Sequence, residues 1–262
     1  MISIDKSTDG LFQINASEQE ISIDRPTPEE SNNNAEEAQV KVYFKRWIVL
    51  IAFSLITLIN AFNWIEYNII QDVTISFFNQ SLPSDSALQN DAVNWFSMIY
   101  MLCYIPLVFP AMFLLDRKGL KLSCILGALL TTIGAVIKCA AVRPDLFAVA
   151  MLGQTICGIA QSFTLSVPAR LSALWFGSSE IATATSIGVF ANQLGSAIGF
   201  LIPPNIVVKS DSIEFMQTRF YYLLIPAAVV SFISLLFAVI CNLNYLLLAL
   251  FFCFKFLFFK RC

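Results

Sequence analysis

The chain has 262 residues, 57% of them hydrophobic and 13% charged, and its mean hydropathy is +0.72. A soluble domain carries about 45–50% apolar and about 25% charged residues, so this composition excludes a soluble core and indicates several membrane-spanning helices. The net charge of -2 marks no nucleic-acid partner, and the absence of histidine removes the commonest metal ligand and the usual general base.

In chain order, residues 1–42 are polar and lack hydrophobic periodicity, which predicts a disordered cytoplasmic tail with no cleavable leader. A helical span needs about 20 mostly apolar residues. Six segments qualify within a predicted transmembrane domain of residues 43–241, at about 47–71, 94–115, 121–142, 146–169, 182–207 and 219–241. The fold class is therefore all-α and integral to the membrane, because only helices satisfy their backbone groups within such segments. Residues 242–262 form an apolar and basic C-terminal tail, too short for a seventh span, that prolongs the sixth or lies at the interface. Seven cysteines lie far apart, five of them within apolar runs, so buried thiols are expected and a disulfide framework is not.

Lysine and arginine near the span ends set the orientation. Lys41, Lys45, Arg46, Arg117, Lys118, Lys121, Arg170, Lys255, Lys260 and Arg261 fall on one side, against Lys138, Arg143, Lys209 and Arg219 on the other. That bias predicts a multi-pass protein with its N-terminus in the cytoplasm. The long loop after the first span then lies outside, where Asn79-Gln80-Ser81 matches an N-glycosylation sequon. Asn15-Ala16-Ser17 also matches but falls in the predicted cytoplasmic tail.

The first span ends in "NAFNWIEYN", rich in hydrogen-bonding groups. Asn60, Asn63, Trp64, Tyr67 and Gln71 recur at helical spacing and so share one face. Facing lipid, each unsatisfied group would cost several kcal/mol, so the stripe faces protein or a cavity. Helix–helix bonding and an aromatic belt are the alternatives for single residues; five together favour a substrate cavity. Glu66 and Lys138 are expected near the outer membrane surface, snorkelling toward solvent. Gln154 and its neighbours in the fourth span are assigned mainly to helix–helix bonding. In the fifth span "GVFANQLGSAIGF" sets Asn192, Gln193 and Ser196 among glycines. Gly195 and Gly199 form a G-x-x-x-G pair that lets another helix approach, and Pro203-Pro204 are expected to kink or unwind the outer part.

Between the second and third spans stands "LLDRKGLKLS". Asp116 is placed to accept bonds from the next helix's first amides or from Arg117 or Arg170, and Gly119 permits the tight turn. A solvated positive loop is the alternative on charge alone. The D-R-K-G-x-K spacing resembles the signature loop of the major facilitator superfamily, with Met112 and Leu120 as departures from that pattern. "NAFNWIEYNIIQDV", "WFSMIYMLCYIPLVFPAMFLLD" and "PARLSALWFGSSEIATATSIGVFANQLGSAIGFLIPP" extend the likeness. Together they resemble the feline leukaemia virus subgroup C receptor-related transporters (solute-carrier family 49), from about Tyr43 to about Val239.

That resemblance implies a plasma-membrane facilitator of choline, ethanolamine or haem, with no cofactor. It matches Trp64 and Gln193 to the central site, where Asn60, Asn63, Tyr67 and Asn192 would join them. An indole face with a neutral amide suits a quaternary ammonium, which offers no N–H to donate. Haem ranks second, since no histidine is present to ligate it. The superfamily fold has two six-helix halves that rock about the substrate. This sequence matches only the first, so the expectation is an altered or truncated product, inactive unless it pairs with a second half or a full-length homologue. A nontransporting regulator is the alternative class. No clustered acids, histidines or cysteines suggest an enzyme, and no nucleotide-binding loop suggests ATP drive.

Overall fold

The computed structural model describes the chain from Lys45 to Phe259, so the tail at 1–42 and the last three residues lie outside the described part. Helix α1 spans Lys45–Ile69, and a short α2, Gln71–Phe77, sits in the loop that follows it. Helix α3, Ser86–Lys118, begins eight residues before the expected start. Asp85 explains this: its carboxylate accepts from the amide of Ala87 at 3.1 Å and caps the helix. Ser86, Gln89, Asn90 and Asp91 then carry α3 beyond its apolar stretch, a length that the spans read from apolar runs miss.

Gly119 separates α3 from α4, Leu120–Ala140, with φ 85° and ψ 172°, a conformation that essentially only glycine adopts. The fourth span is broken in two, α5 (Phe147–Thr164) and α6 (Val167–Trp175). Pro168 has no amide hydrogen to donate to Thr164 and sits at the start of α6, where proline is tolerated. Helix α7, Ile181–Ile206, continues through Pro203 and Pro204. The expected unwinding does not occur there, because both prolines fall in the last turn and little ladder remains to lose. Helix α8, Ile213–Phe259, continues unbroken into the residues read as a tail.

Among the described residues, six helical segments are long and apolar enough to cross a membrane. Helix α1 is the most buried of them and contacts α3, α4, α5, α7 and α8, whereas α3 is the least buried. Two close approaches set this packing. A Cβ at Gly195 of α7 would fall on the carbonyl oxygen of Leu58 in α1 and 2.8 Å from its carbonyl carbon, and one at Gly199 would strike Ile65. The G-x-x-x-G pair thus seats α7 on α1. Between α4 and α5, a Cβ at Gly134 would come 2.6 Å from the carbonyl oxygen of Gly153.

The two larger apolar cores occupy opposite ends of the bundle. Leu50, Phe53, Leu115, Val167, Leu171 and Phe176 pack at the end where α1 begins. Tyr67, Phe77, Phe78, Phe96 and Phe220 pack at the other, with Tyr67 stacked on Phe96 at 4.6 Å between ring centroids. Cys103, Cys124, Cys139 and Cys157 are free thiols.

Candidate functional site

At the end where α1 begins, Arg46 forms a forked ion pair with Glu180, and its second arm bonds at 3.2 Å. The guanidinium lies 5.6 Å from the Trp47 ring centroid and 5.2 Å from that of Phe176. This contact fastens the start of α1 to the start of α7. Nearby, Asp116 reaches Arg170 at 3.9 Å, with both side chains at least half exposed. Asp116 does not cap α4, whose N-cap is Gly119 with no side-chain bond, and Arg117 lies over Phe113 at 5.2 Å. An exposed pair of this kind contributes about 0–1 kcal/mol, so Arg46–Glu180 is the stronger tie on this face. A cavity of about 500 Å³ opens at the same end, lined by Phe53, Ile56, Lys118, Lys121, Cys124 and Trp175 among others.

The polar stripe of α1 divides in the folded bundle. Asn60 is fully buried and donates from Nδ2 to Thr131 Oγ1 and to the carbonyl of Cys157, both at 3.1 Å. Asn63 is also fully buried, and its Oδ1 accepts from Lys138 Nζ at 2.6 Å. Tyr67 is sealed among the rings of the core at the far end of α1. These three were expected to line a cavity, and the structure instead turns them toward α4, α5 and the core. The reason is that α1 runs through the middle of the bundle, so one face alone does not mark an opening.

Glu66 and Lys138 were expected to snorkel. Both are 0% exposed, and Lys138 Nζ meets Glu66 Oε1 at 2.6 Å. Lys138 lies in the last turn of α4, where Gly153 across the seam leaves room for its stem: a Cβ at Gly153 would come 2.8 Å from Lys138 Cγ. The ammonium also donates to Gln154 Oε1 at 3.2 Å and lies 5.8 Å from the Tyr67 ring centroid. A buried charge must be paired and hydrogen-bonded, and this one is.

Gln154 completes the layer. Its Nε2 donates to the carbonyls of Asn63, Trp64 and Phe96 at 3.0, 3.1 and 3.2 Å. Trp64 is half-buried, and its indole Nε1 donates to the carbonyl of Ser97 at 3.3 Å. The glutamine that the structure sets beside Trp64 is therefore Gln154 of α5. Gln193 lies exposed on α7 between Phe190 and Leu194, which are themselves 65% and 41% exposed, and Asn192 is half-buried. The sequence did hold a signal for Gln154, a neutral amide inside an apolar span, but helix–helix bonding was the simpler account of it. Asn79 is exposed in the turn after α2.

A profile of the Major Facilitator Superfamily matches residues 38–242. The choline/ethanolamine transporter flvcr2b of Danio rerio is 42% identical over 206 residues, covering 77% of this chain and 40% of that protein. The choline/ethanolamine transporter FLVCR1 of Felis catus is 45% identical over 174 residues, covering 66% and 30%. An uncharacterized MFS-type transporter of Caenorhabditis elegans is 43% identical over 206 residues, covering 79% and 33%. The chain thus spans 30% to 40% of the length of these relatives. With six apolar helices and a matching profile over most of its length, this multi-pass membrane chain belongs to the Major Facilitator Superfamily.

Proposed function

We propose that the chain contributes one half of a facilitator for a choline-like organic cation, with Trp64 as the ring that holds it. The observation that carries this reading is the half-buried Trp64 indole, whose backbone carbonyl is held by the neutral amide of Gln154, in a chain similar to two choline/ethanolamine transporters. A permanent cation is attracted to an indole face by about 2 kcal/mol when desolvated. It needs no counter-charge, and Glu66, the acid next to this site, is already engaged by Lys138. Haem has less support: the chain has no histidine, and Tyr67 and Tyr100, two of the remaining ligand types, lie within the core.

The faces of α3 and α7 support a second six-helix unit as the other wall. Met101, Ile105 and Phe109 of α3 and Phe200 and Leu201 of α7 are exposed. Acyl chains would cover such residues equally well, but not the exposed amide of Gln193 on the same helix. In this reading Gln193 and Asn192 face the second unit or the path between the two. A regulator that docks on a complete homologue would use the same faces.

Radiolabelled choline binding to the purified chain, and uptake by cells that co-express it with a second six-helix unit, test the proposal. Trp64→Ala is expected to weaken binding roughly thirtyfold, the equivalent of about 2 kcal/mol. Equal binding by the variant would remove Trp64 from the site.

The orientation follows the charge bias: N-terminus in the cytoplasm and the α2 loop outside, in the plasma membrane. The exposure of Asn79 supports a glycan there. Asn79→Gln should then abolish a glycosidase-sensitive mobility shift; if the unmodified chain shows no such shift, the external placement loses its support.

A further inference from the structure

Four helices meet at one buried polar layer, and its bonds run in a fixed order. Glu66 Oε1 and Asn63 Oδ1, both on α1, hold Lys138 Nζ of α4 at 2.6 Å each. Lys138 in turn donates to Gln154 Oε1 of α5 at 3.2 Å. An ammonium has only donors, so it selects the oxygen end of the Gln154 amide and leaves the nitrogen end pointing the other way. That nitrogen end reaches the carbonyls of Asn63 and Trp64 on α1 and of Phe96 on α3. The next carbonyl along α3, Ser97, takes the Trp64 indole N–H at 3.3 Å. The backbone and the ring of Trp64 are thus fixed against the same turn of α3, one through Gln154 and the other directly.

We infer that Lys138, held by Glu66, is a positioning residue for Trp64: it sets the polarity of the Gln154 amide, and that amide locks the register of α1 against α3 on which the angle of the indole depends. This rests on the reading of Trp64 as the cation-holding ring, but its geometric core does not need a substrate. Without the ammonium the Gln154 oxygen loses its donor. The amide, then held at its nitrogen end alone, can swing off the carbonyls that it ties together, loosening α1 from α3 at Trp64. The α1–α7 contact at Leu58 and Gly195 is untouched by this change, so the effect is confined to the ring and its turn. A buried pair whose hydrogen bonds converge on one neighbour fixes that geometry more sharply than apolar packing would.

The test uses the full chain with Trp47, Trp95 and Trp175 changed to phenylalanine, which leaves Trp64 as the one fluorophore, and a matching chain that keeps only Trp47 as the control. Into both goes the paired variant Glu66→Gln with Lys138→Met, which removes the two charges together and leaves neither stranded. The expected result is a red shift of Trp64 emission and stronger acrylamide quenching, with Trp47 unchanged. In the otherwise unmodified chain, the pair should also weaken choline binding by roughly tenfold, as small misplacements of a binding group do. Unchanged Trp64 emission and quenching would overturn the inference whether or not the parent chain binds choline. Equal changes at Trp64 and Trp47 would overturn it too, since that pattern means general loosening. If the parent binds no choline while Trp64 responds as expected, the proposed function fails and the positioning role stands. Should the pair fail to fold, Gln154→Met in the same two reporters takes its place. It removes only the bridge between Lys138 and the Trp64 turn, and the same outcomes decide.

Discussion

Replacing Lys138 alone by methionine is expected to destabilise the bundle by about 3–5 kcal/mol, because breaking one side of a buried pair leaves an uncompensated charge. Among the described residues, Glu66 would lose the only partner of its Oε1, and its Oε2 already has none. Asn63 Oδ1 and Gln154 Oε1 would be orphaned at the same time. Each buried unsatisfied acceptor adds a further penalty of about 1–3 kcal/mol, although the charge dominates. Combining Lys138→Met with Glu66→Gln should restore most of the loss, since exchanging a whole buried pair for uncharged residues is often close to neutral. Denaturation midpoints in mixed micelles, followed by circular dichroism, measure both. If the double variant is no more stable than Lys138→Met alone, the charge is not what the single change exposes.

Gly195→Ala is expected to cost at least about 3 kcal/mol, at the upper end for overpacking, although it adds a single methyl group. The new Cβ meets backbone, not a flexible side chain, on the carbonyl of Leu58. Helices α1 and α7 would have to separate along their shared length, which also opens the close approaches at Gly199, where a Cβ would meet Ile65, and at Gly188, where one would meet Phe53. The same methyl at Gly177, where nothing lies within 4 Å, serves as the control and should be nearly silent. Thermal unfolding of the two variants side by side checks this. Equal stability of Gly195→Ala and the parent chain would mean that α7 does not seat on α1 as described.

The amino-acid sequence alone determined a good deal here. Apolar length and spacing gave the spans, because a membrane-crossing helix must be long, apolar and internally bonded. Small residues four apart marked where α7 meets α1, since only a missing side chain allows such an approach. Local chemistry also decided the Gly119 turn and the break before Pro168, through one residue's backbone in each case.

The polar stripe of α1 shows what only the tertiary structure decided. Helical periodicity places Asn60, Asn63, Trp64 and Tyr67 at angles around one axis, but it does not say what each angle faces. The partners of Asn63 and Glu66 lie 75 and 72 residues away on α4, and the partner of the Asn63 and Trp64 carbonyls lies about 90 away on α5. Taken singly, an acid and a lysine near span ends look ready to snorkel into water. Packed together they seal one another from it, because each supplies the countercharge and hydrogen bonds that the other would otherwise seek in solvent.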